Sequence, residues 1–188
     1  MDHGQRHQGR AGHLVARLSE IIDFEHWCFA CGRLNPHGLH LDFEVSRDRA
    51  QTRFTAGPEH SGFEGFVHGG VVTALIDETM GWAIFHQGLW GVTGKITVSF
   101  RQPLPVGLEL LVTGEISRRT RRAIETRGAV TDKAGAVLAD AEALFLLMPD
   151  ERRDELKRRY SRADESFARV RAAVDAEERT KHLEHGRT

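Results

Sequence analysis

The chain reads as an α+β domain in which an antiparallel sheet wraps around one long central helix, with helical extensions at both ends. Three observations predict this. The run from about Gly70 to His86 is apolar around most of its circumference, the pattern of a helix buried on all sides. Two strand-like segments precede it and four follow, separated by turn-forming residues. A sheet folded over the helix is the simplest way to bury both.

The elements follow in order. Residues 1–11 read as a flexible tail, and Leu14, Leu18, Ile21 and Ile22 recur at helical spacing, so residues 1–26 are expected to form a tail and a short helix. Gly32, Asn35, Pro36 and Gly38 make the stretch from Cys28 to Gly38 turn-rich. From Leu39 to Val45 apolar and polar residues alternate, which predicts a first strand with Leu39, Leu41, Phe43 and Val45 on one face. A second strand over Ala50 to Thr55 pairs with it. A loop from Gly57 to Val67 leads into the helix, and strands are expected over Val92–Arg101, Leu108–Arg118, Arg122–Thr131 and Val137–Met148. Pro103 to Gly107 and Asp132 to Gly135 mark two of the breaks. The main domain is thus placed at 27–150.

Residues 151–188 turn strongly charged, yet Leu156, Tyr160, Ala163, Phe167, Val170 and Val174 step by four and three. An amphipathic helix follows, fraying after about Arg179, whose seam packs on the body of its own chain or pairs with another chain as a short coiled coil.

With 188 residues, 40% of them hydrophobic, the chain suits one domain plus modest extensions. A net charge of −1 and no obvious basic face argue against nucleic acid as a partner. The polar start and the lack of about 18 consecutive apolar residues argue against a signal core or a membrane span, and a cytoplasmic location is expected. Two cysteines do not make a disulfide framework.

The most informative stretch is His68-Gly69-Gly70-Val71-Val72-Thr73-Ala74-Leu75-Ile76-Asp77-Glu78, which sets a carboxylate inside an apolar helix that opens with two glycines. A charged carboxylate in an apolar setting costs several kcal/mol unless it is paired, hydrogen-bonded or chemically employed. The bland alternative is that Asp77 and Glu78 are both solvated, although neighbours about 100° apart leave room for only one to face inward. At the other end, the first N–H groups of a helix lack intrahelical partners and carry partial positive charge, and Gly69 and Gly70 allow close approach of a ligand. An oxyanion would be stabilised there. His68 either caps the helix or contacts a substrate.

Asp77 follows Gly69 by eight residues, a rise of roughly 12 Å at about 1.5 Å per residue. That distance prevents both from serving one substrate carbonyl within a single helix. Two antiparallel copies of the helix across a twofold axis would solve the problem, which predicts a homodimer with two shared sites.

These residues resemble the hotdog-fold acyl-CoA thioesterases of the phenylacetate-degradation (PaaI-like) type, over roughly Cys28 to Met148. The resemblance is carried by Cys28-Phe29-Ala30-Cys31-Gly32, Asn35-Pro36-His37-Gly38-Leu39, Gly65-Phe66-Val67-His68-Gly69-Gly70, Leu75-Ile76-Asp77-Glu78-Thr79-Met80-Gly81 and Thr97-Val98-Ser99-Phe100-Arg101-Gln102-Pro103. It implies a hotdog fold, dimers often assembled into tetramers, and hydrolysis of a coenzyme A thioester without a cofactor. Asp77 then matches the catalytic acid, as nucleophile or general base, and Gly69 of the other subunit matches the amide that polarises the carbonyl. His68 matches the assisting histidine and Thr93 a hydroxyl that orients the attacking water. Some members carry asparagine six residues before the histidine; Gly62 stands there instead, with His60 and Glu64 as nearby polar groups.

Phe63, Phe66, Trp82 and Phe85 are candidates for the acyl cleft, beside Gly70. Coenzyme A needs cations for its phosphates, and Arg118-Arg119-Thr120-Arg121-Arg122 lies at an expected hairpin end. Arg119 and Arg121 are the candidates there, with Arg101 a second site, and a merely solvated hairpin is the alternative. Cys28 and Cys31 could form half of a tetrahedral zinc site with His26, His37 or a partner chain. With one C-x-x-C and no second pair, no metal is expected. The competing functions are a non-catalytic acyl-CoA-binding module and a hydratase or dehydratase on the same scaffold.

Overall fold

The computed structural model describes residues 16–17, 25–159 and 161–185. Strands β1 (Ala16–Arg17), β2 (Glu44–Ser46), β3 (Arg49–Thr55), β4 (Ser61–Phe63) and β5 (Phe66–Val67) precede helix α1 (Gly69–Phe85). Strands β6 (Gly91–Phe100), β7 (Glu109–Arg119), β8 (Ala123–Thr131) and β9 (Val137–Leu147) follow, and then helices α2 (Asp150–Arg159) and α3 (Ser161–His185). Seven strands form one antiparallel sheet in the order β1-β2-β3-β7-β8-β9-β6, which leaves β6 at an edge. The sheet folds over α1, which touches β2, β3, β6, β7, β8 and β9.

Two glycines let the helix press onto the sheet. Gly114 on β7 and Gly128 on β8 face each other in register. A Cβ on Gly114 would lie 2.7 Å from the backbone nitrogen of Met80, and one on Gly128 would lie 2.6 Å from Cγ2 of Ile76. Alanine at either place would push α1 off the sheet, at a typical overpacking cost of about 1–3 kcal/mol. The face thus applied buries Val72, Leu75, Ile76, Met80 and Ile84 completely. Burial of such side chains is worth about 1.5–3 kcal/mol each.

The alternation over 39–45 holds in burial: Leu39, Leu41, Phe43 and Val45 are inside, and His40 and Asp42 are exposed. Only the last part joins a ladder, because Glu44–Ser46 alone reaches β3. The segment before it is extended but bonded elsewhere, through Leu39 N–H to Phe29 O and Leu41 N–H to Ala30 O. The loop expected over 57–67 contains a 3-10 turn at Pro58–His60 and the small β4–β5 hairpin. Ala16–Arg17, inside the expected N-terminal helix, pair instead as a strand with β2; Leu14, Leu18, Ile21 and Ile22 lie outside the described residues.

The charged C-terminal run is helical over Asp150–Arg159 and Ser161–His185. Its seam packs on its own chain: Phe167, Val170 and Val174 are buried, and the Phe167 ring lies 5.7 Å from Trp82 and 5.6 Å from Trp90. No helix among the described residues is long and apolar enough to cross a membrane.

Candidate active site

His68 holds an extended backbone (φ −62°, ψ 133°) at the N-cap of α1, and its ring Nδ1 accepts the Gly70 N–H at 2.8 Å. The side chain thereby satisfies one of the orphan donors of the helix. With Nδ1 an acceptor, the neutral ring carries its proton on Nε2. The packing is close, since a Cβ on Gly62 would lie 3.0 Å from the His68 Cα. A side chain at position 62, where asparagine stands in some of the proteins this chain resembles, would press on His68.

The two glycines therefore differ. The Gly70 amide is taken by His68, which removes it as a substrate donor in this arrangement. Gly69 is the first residue of the helix, where no carbonyl one turn back can receive its N–H. A Cβ on Gly69 would touch Phe100 at 3.3 Å; Phe100 (54%) is exposed, as are Phe66 (44%) and Phe63 (85%) on the β4–β5 hairpin that precedes the helix.

Two turns along, Asp77 is half-buried and its Oδ1 accepts the Thr93 hydroxyl at 2.8 Å. Burial raises the carboxyl pKa above its usual value, and the Thr93 hydrogen bond opposes that shift. Thr93 is aimed by an irregularity in β6. The register with β9 slips between Thr93 and Lys95, so Gly94 is an extra residue, and such bulges redirect the side chains beside them.

The neighbouring acid is half-buried on another face. Glu78 Oε1 accepts from Cys31 Sγ at 2.8 Å and from the Trp82 indole N–H at 3.2 Å, and both its oxygens lie 3.7 Å from Cys28 Sγ. Burial first, then the charge of Cys28, raises the Glu78 pKa to about 7. The Cys28 thiol is lowered to about 5, chiefly by the hydrogen bond from Cys31 and then, against burial, by the amides of Cys31 and Ala30. Cys31 is raised, because its proton is held by Cys28 and its surroundings are dry. From the sequence only one of Asp77 and Glu78 is expected to face inward, and Glu78 carries no role of its own. The signal available was its spacing of four from Trp82, which puts the indole and the carboxylate on one helix face.

Trp82 is accordingly not at an open cleft. It is 5% exposed, packed by Phe43, Phe85 and Phe167, with α3 as its cover. Its expected acyl contact is replaced by a core role, because the C-terminal helix buries the face on which it lies. His60 is also structural: its Nδ1 accepts the Gly57 N–H at 2.9 Å and its ring meets Phe54 edge-on.

The arginines divide in the same way. Arg101 is engaged twice by Asp140, with Nη2 to Oδ2 at 3.1 Å, so an incoming phosphate has to compete with a carboxylate. Arg118 pairs with Glu125. Arg119 and Arg121 are exposed at the tip of the β7–β8 hairpin, whose turn Thr120 holds through Ala123. Arg119 registers with Ile124, Ile124 with Phe145, and Phe145 with Thr93. The tip thus stands three strand spacings, roughly 14 Å, from Thr93 at the same end of the sheet.

Residues 64–139 match the family described as the thioesterase superfamily. The acyl-coenzyme A thioesterase THEM4 of Xenopus laevis is 25% identical over 118 residues, 60% of this chain and 53% of that protein. The chain thus spans about half the length of the curated relatives it matches. A solved thioesterase superfamily protein superposes with a TM-score of 0.61 at 25% identity, covering 73% of this chain and 68% of that one. The E. coli PaaI protein from the phenylacetic acid degradation operon gives 0.55 at 19% identity, over 57% and 83% of the two chains. The antiparallel sheet folded over one long helix gives the chain the hotdog fold, and its residues 64–139 are similar to the thioesterase superfamily.

Proposed function

We propose that this protein hydrolyses an acyl-CoA thioester to the free acid and CoA, in a site shared by two chains. The observation that carries the reading is the half-buried Asp77 held by the Thr93 hydroxyl on the edge strand of the sheet. Asp77 either attacks the thioester carbonyl or takes a proton from the water that does. The Gly69 amide of the partner subunit stabilises the oxyanion, and His68 lies beside it at the helix start. When the tetrahedral intermediate collapses, the C–S bond breaks and the CoA thiolate leaves to take up a proton; where Asp77 is the nucleophile, water then cleaves the acyl–Asp77 anhydride to the free acid and restores the carboxylate.

Where the two halves lie against one strand supports a dimer. Gly69 packs by Phe100 and Asp77 by Thr93, so the helix N-terminus and the acid lie toward opposite ends of β6. An antiparallel pairing of two β6 edges with its axis between Ile96 and Thr97 sets Thr93 of one chain against the position of Phe100 in the other. That register draws each Asp77 toward the other chain's Gly69. The exposed Val92 and Phe100 on this edge supply apolar surface for the contact. The acyl chain takes the apolar ground around Phe63, Phe66 and Phe100, and Arg119 and Arg121 are placed for the CoA phosphates.

The test is thiol release from short, medium, long and aromatic acyl-CoAs, with Asp77→Asn as the control. Loss of a base or nucleophile should cost at least about 10²-fold in kcat. Unchanged turnover in Asp77→Asn removes the residue from the role, and saturable CoA binding without turnover of any thioester points to a binding module instead.

A further inference from the structure

A second chemical cluster lies on the side of α1 away from the Asp77–Thr93 pair. Cys28, Cys31 and Glu78 bring two sulfurs and a carboxylate oxygen within 4.8 Å of one another. The carboxylate is half-buried, and its hydrogen-bond partners among the described residues are Cys28, Cys31 and Trp82, none of them a cation. A partly buried acid beside two thiols is favoured by a positive charge placed among them.

The local chain geometry is that of a cup for a metal thiolate. Cys28-Phe29-Ala30-Cys31-Gly32 turns tightly, with the Gly32 N–H bonded to Cys28 O at 2.9 Å. A Cβ at position 32 would fall within 2.5 Å of backbone atoms of Cys28 and His26, so only glycine closes the turn this way. The Trp82 indole N–H fixes the Glu78 carboxylate from behind, as outer-sphere donors do for ligating carboxylates.

We propose that Cys28, Cys31 and Glu78 bind one thiophilic divalent cation, Zn²⁺ by preference, which ties the 25–43 segment to α1. An ion about 2.3 Å from sulfur and about 2.0–2.2 Å from oxygen separates tetrahedral ligand atoms by roughly 3.5–3.8 Å. Cys28 Sγ already lies 3.7 Å from both Glu78 oxygens. Cys31 Sγ, at 2.8 Å from Oε1, moves outward when its proton leaves to solvent and the metal takes its place. The three side chains fill three positions and water the fourth. Two thiolates and one carboxylate suit Zn²⁺ over the hard cations Mg²⁺ and Ca²⁺.

The experiment uses the full chain, purified under reducing conditions, stripped with a chelator, and then titrated with Zn²⁺ and with Co²⁺ as a spectroscopic probe. The expected result is about one Zn²⁺ per chain by elemental analysis, with Co²⁺ giving tetrahedral d–d bands and a sulfur-to-cobalt charge-transfer band. Cys28→Ser and Cys31→Ser should each lose the site. Glu78→Gln should keep the charge-transfer band but bind more weakly, and Trp82→Phe should weaken binding about 10–100-fold. Because cysteine variants can fail to fold, the decisive measurement is on the unmodified chain. Two titratable free thiols with no Zn²⁺ uptake and no cobalt spectrum would overturn the proposal. So would thiols that recover from chelation only as a Cys28–Cys31 disulfide.

Discussion

Replacement of Gly69 by proline removes a single hydrogen atom's worth of function and little else. Gly69 is the first residue of α1, where proline is favoured because its absent N–H has no intrahelical partner and its fixed φ suits the helix. The preceding His68 already has the extended ψ of 133° that a following proline requires. The added Cβ meets the Phe100 ring at 3.3 Å, which an exposed phenylalanine can yield by a few tenths of an ångström. Stability should therefore change by less than about 1 kcal/mol. Catalysis should not be spared. If this N–H holds the oxyanion, its loss raises the barrier by about 2.7–4 kcal/mol and lowers kcat about 10²–10³-fold.

The proposed shared site makes a sharper demand when Gly69→Pro and Asp77→Asn chains are mixed. Each homodimer is inactive, but a mixed dimer has one site with both defects and one with neither. Equal amounts, denatured and refolded together, give half mixed dimers by random pairing, hence about a quarter of unmodified activity. Thiol release and native mass spectrometry of the same sample measure the recovered rate and the mixed population. Mixed dimers without recovered activity refute a site shared between chains. A Gly69→Pro homodimer of normal rate refutes the amide as oxyanion donor.

Thr93→Val should lower kcat about 10–100-fold, the worth of a hydrogen bond to a charged group, while Thr93→Ser restores most of it; equal rates in both would deny the hydroxyl a part. Arg119→Ala with Arg121→Ala should raise KM for acyl-CoA about 3–10-fold, yet leave an acyl-pantetheine lacking the nucleotide phosphates unaffected. An equal effect on both thioesters would place the arginines elsewhere in the chemistry. His86 supplies a pH prediction. It is 1% exposed, donates from Nδ1 to Trp82 O and lacks a partner at Nε2 among the described residues. Burial lowers its pKa below 6.5, against the Trp82, Arg47 and Ser46 carbonyls and the charge of Asp48. The unfolded chain then binds the proton more readily, so this contribution is complete above about pH 6.5 and is lost as pH falls through the folded pKa, at up to about 1.4 kcal/mol per pH unit. Urea midpoints at several pH values should show a shallower acid slope in His86→Gln, and parallel slopes would contradict it. Arg47, Arg171 and Asp175, which line the same cavity, stay in place in both proteins.

Periodicity alone determined the central helix, the long strands to within a residue or so, and the inward faces of Leu39, Leu41, Phe43 and Val45, because burial of apolar side chains dictates these patterns wherever the chain goes. The distance between Gly69 and Asp77 was also legible, since helical rise is a property of the backbone and not of its surroundings. What lies against a given side chain is a different matter, set by segments far away in sequence. Trp82 looked like cleft wall until α3 came down on it from 85 residues further along at Phe167. Glu78 had no role of its own until the Cys28–Cys31 turn, some 50 residues earlier, closed over it. The hydroxyl that steers Asp77 depended on a bulge at Gly94, which no periodicity announces. The chain order carried the acid and the glycines; only tertiary packing decided which of their neighbours are core, which are partners and which remain open to a substrate.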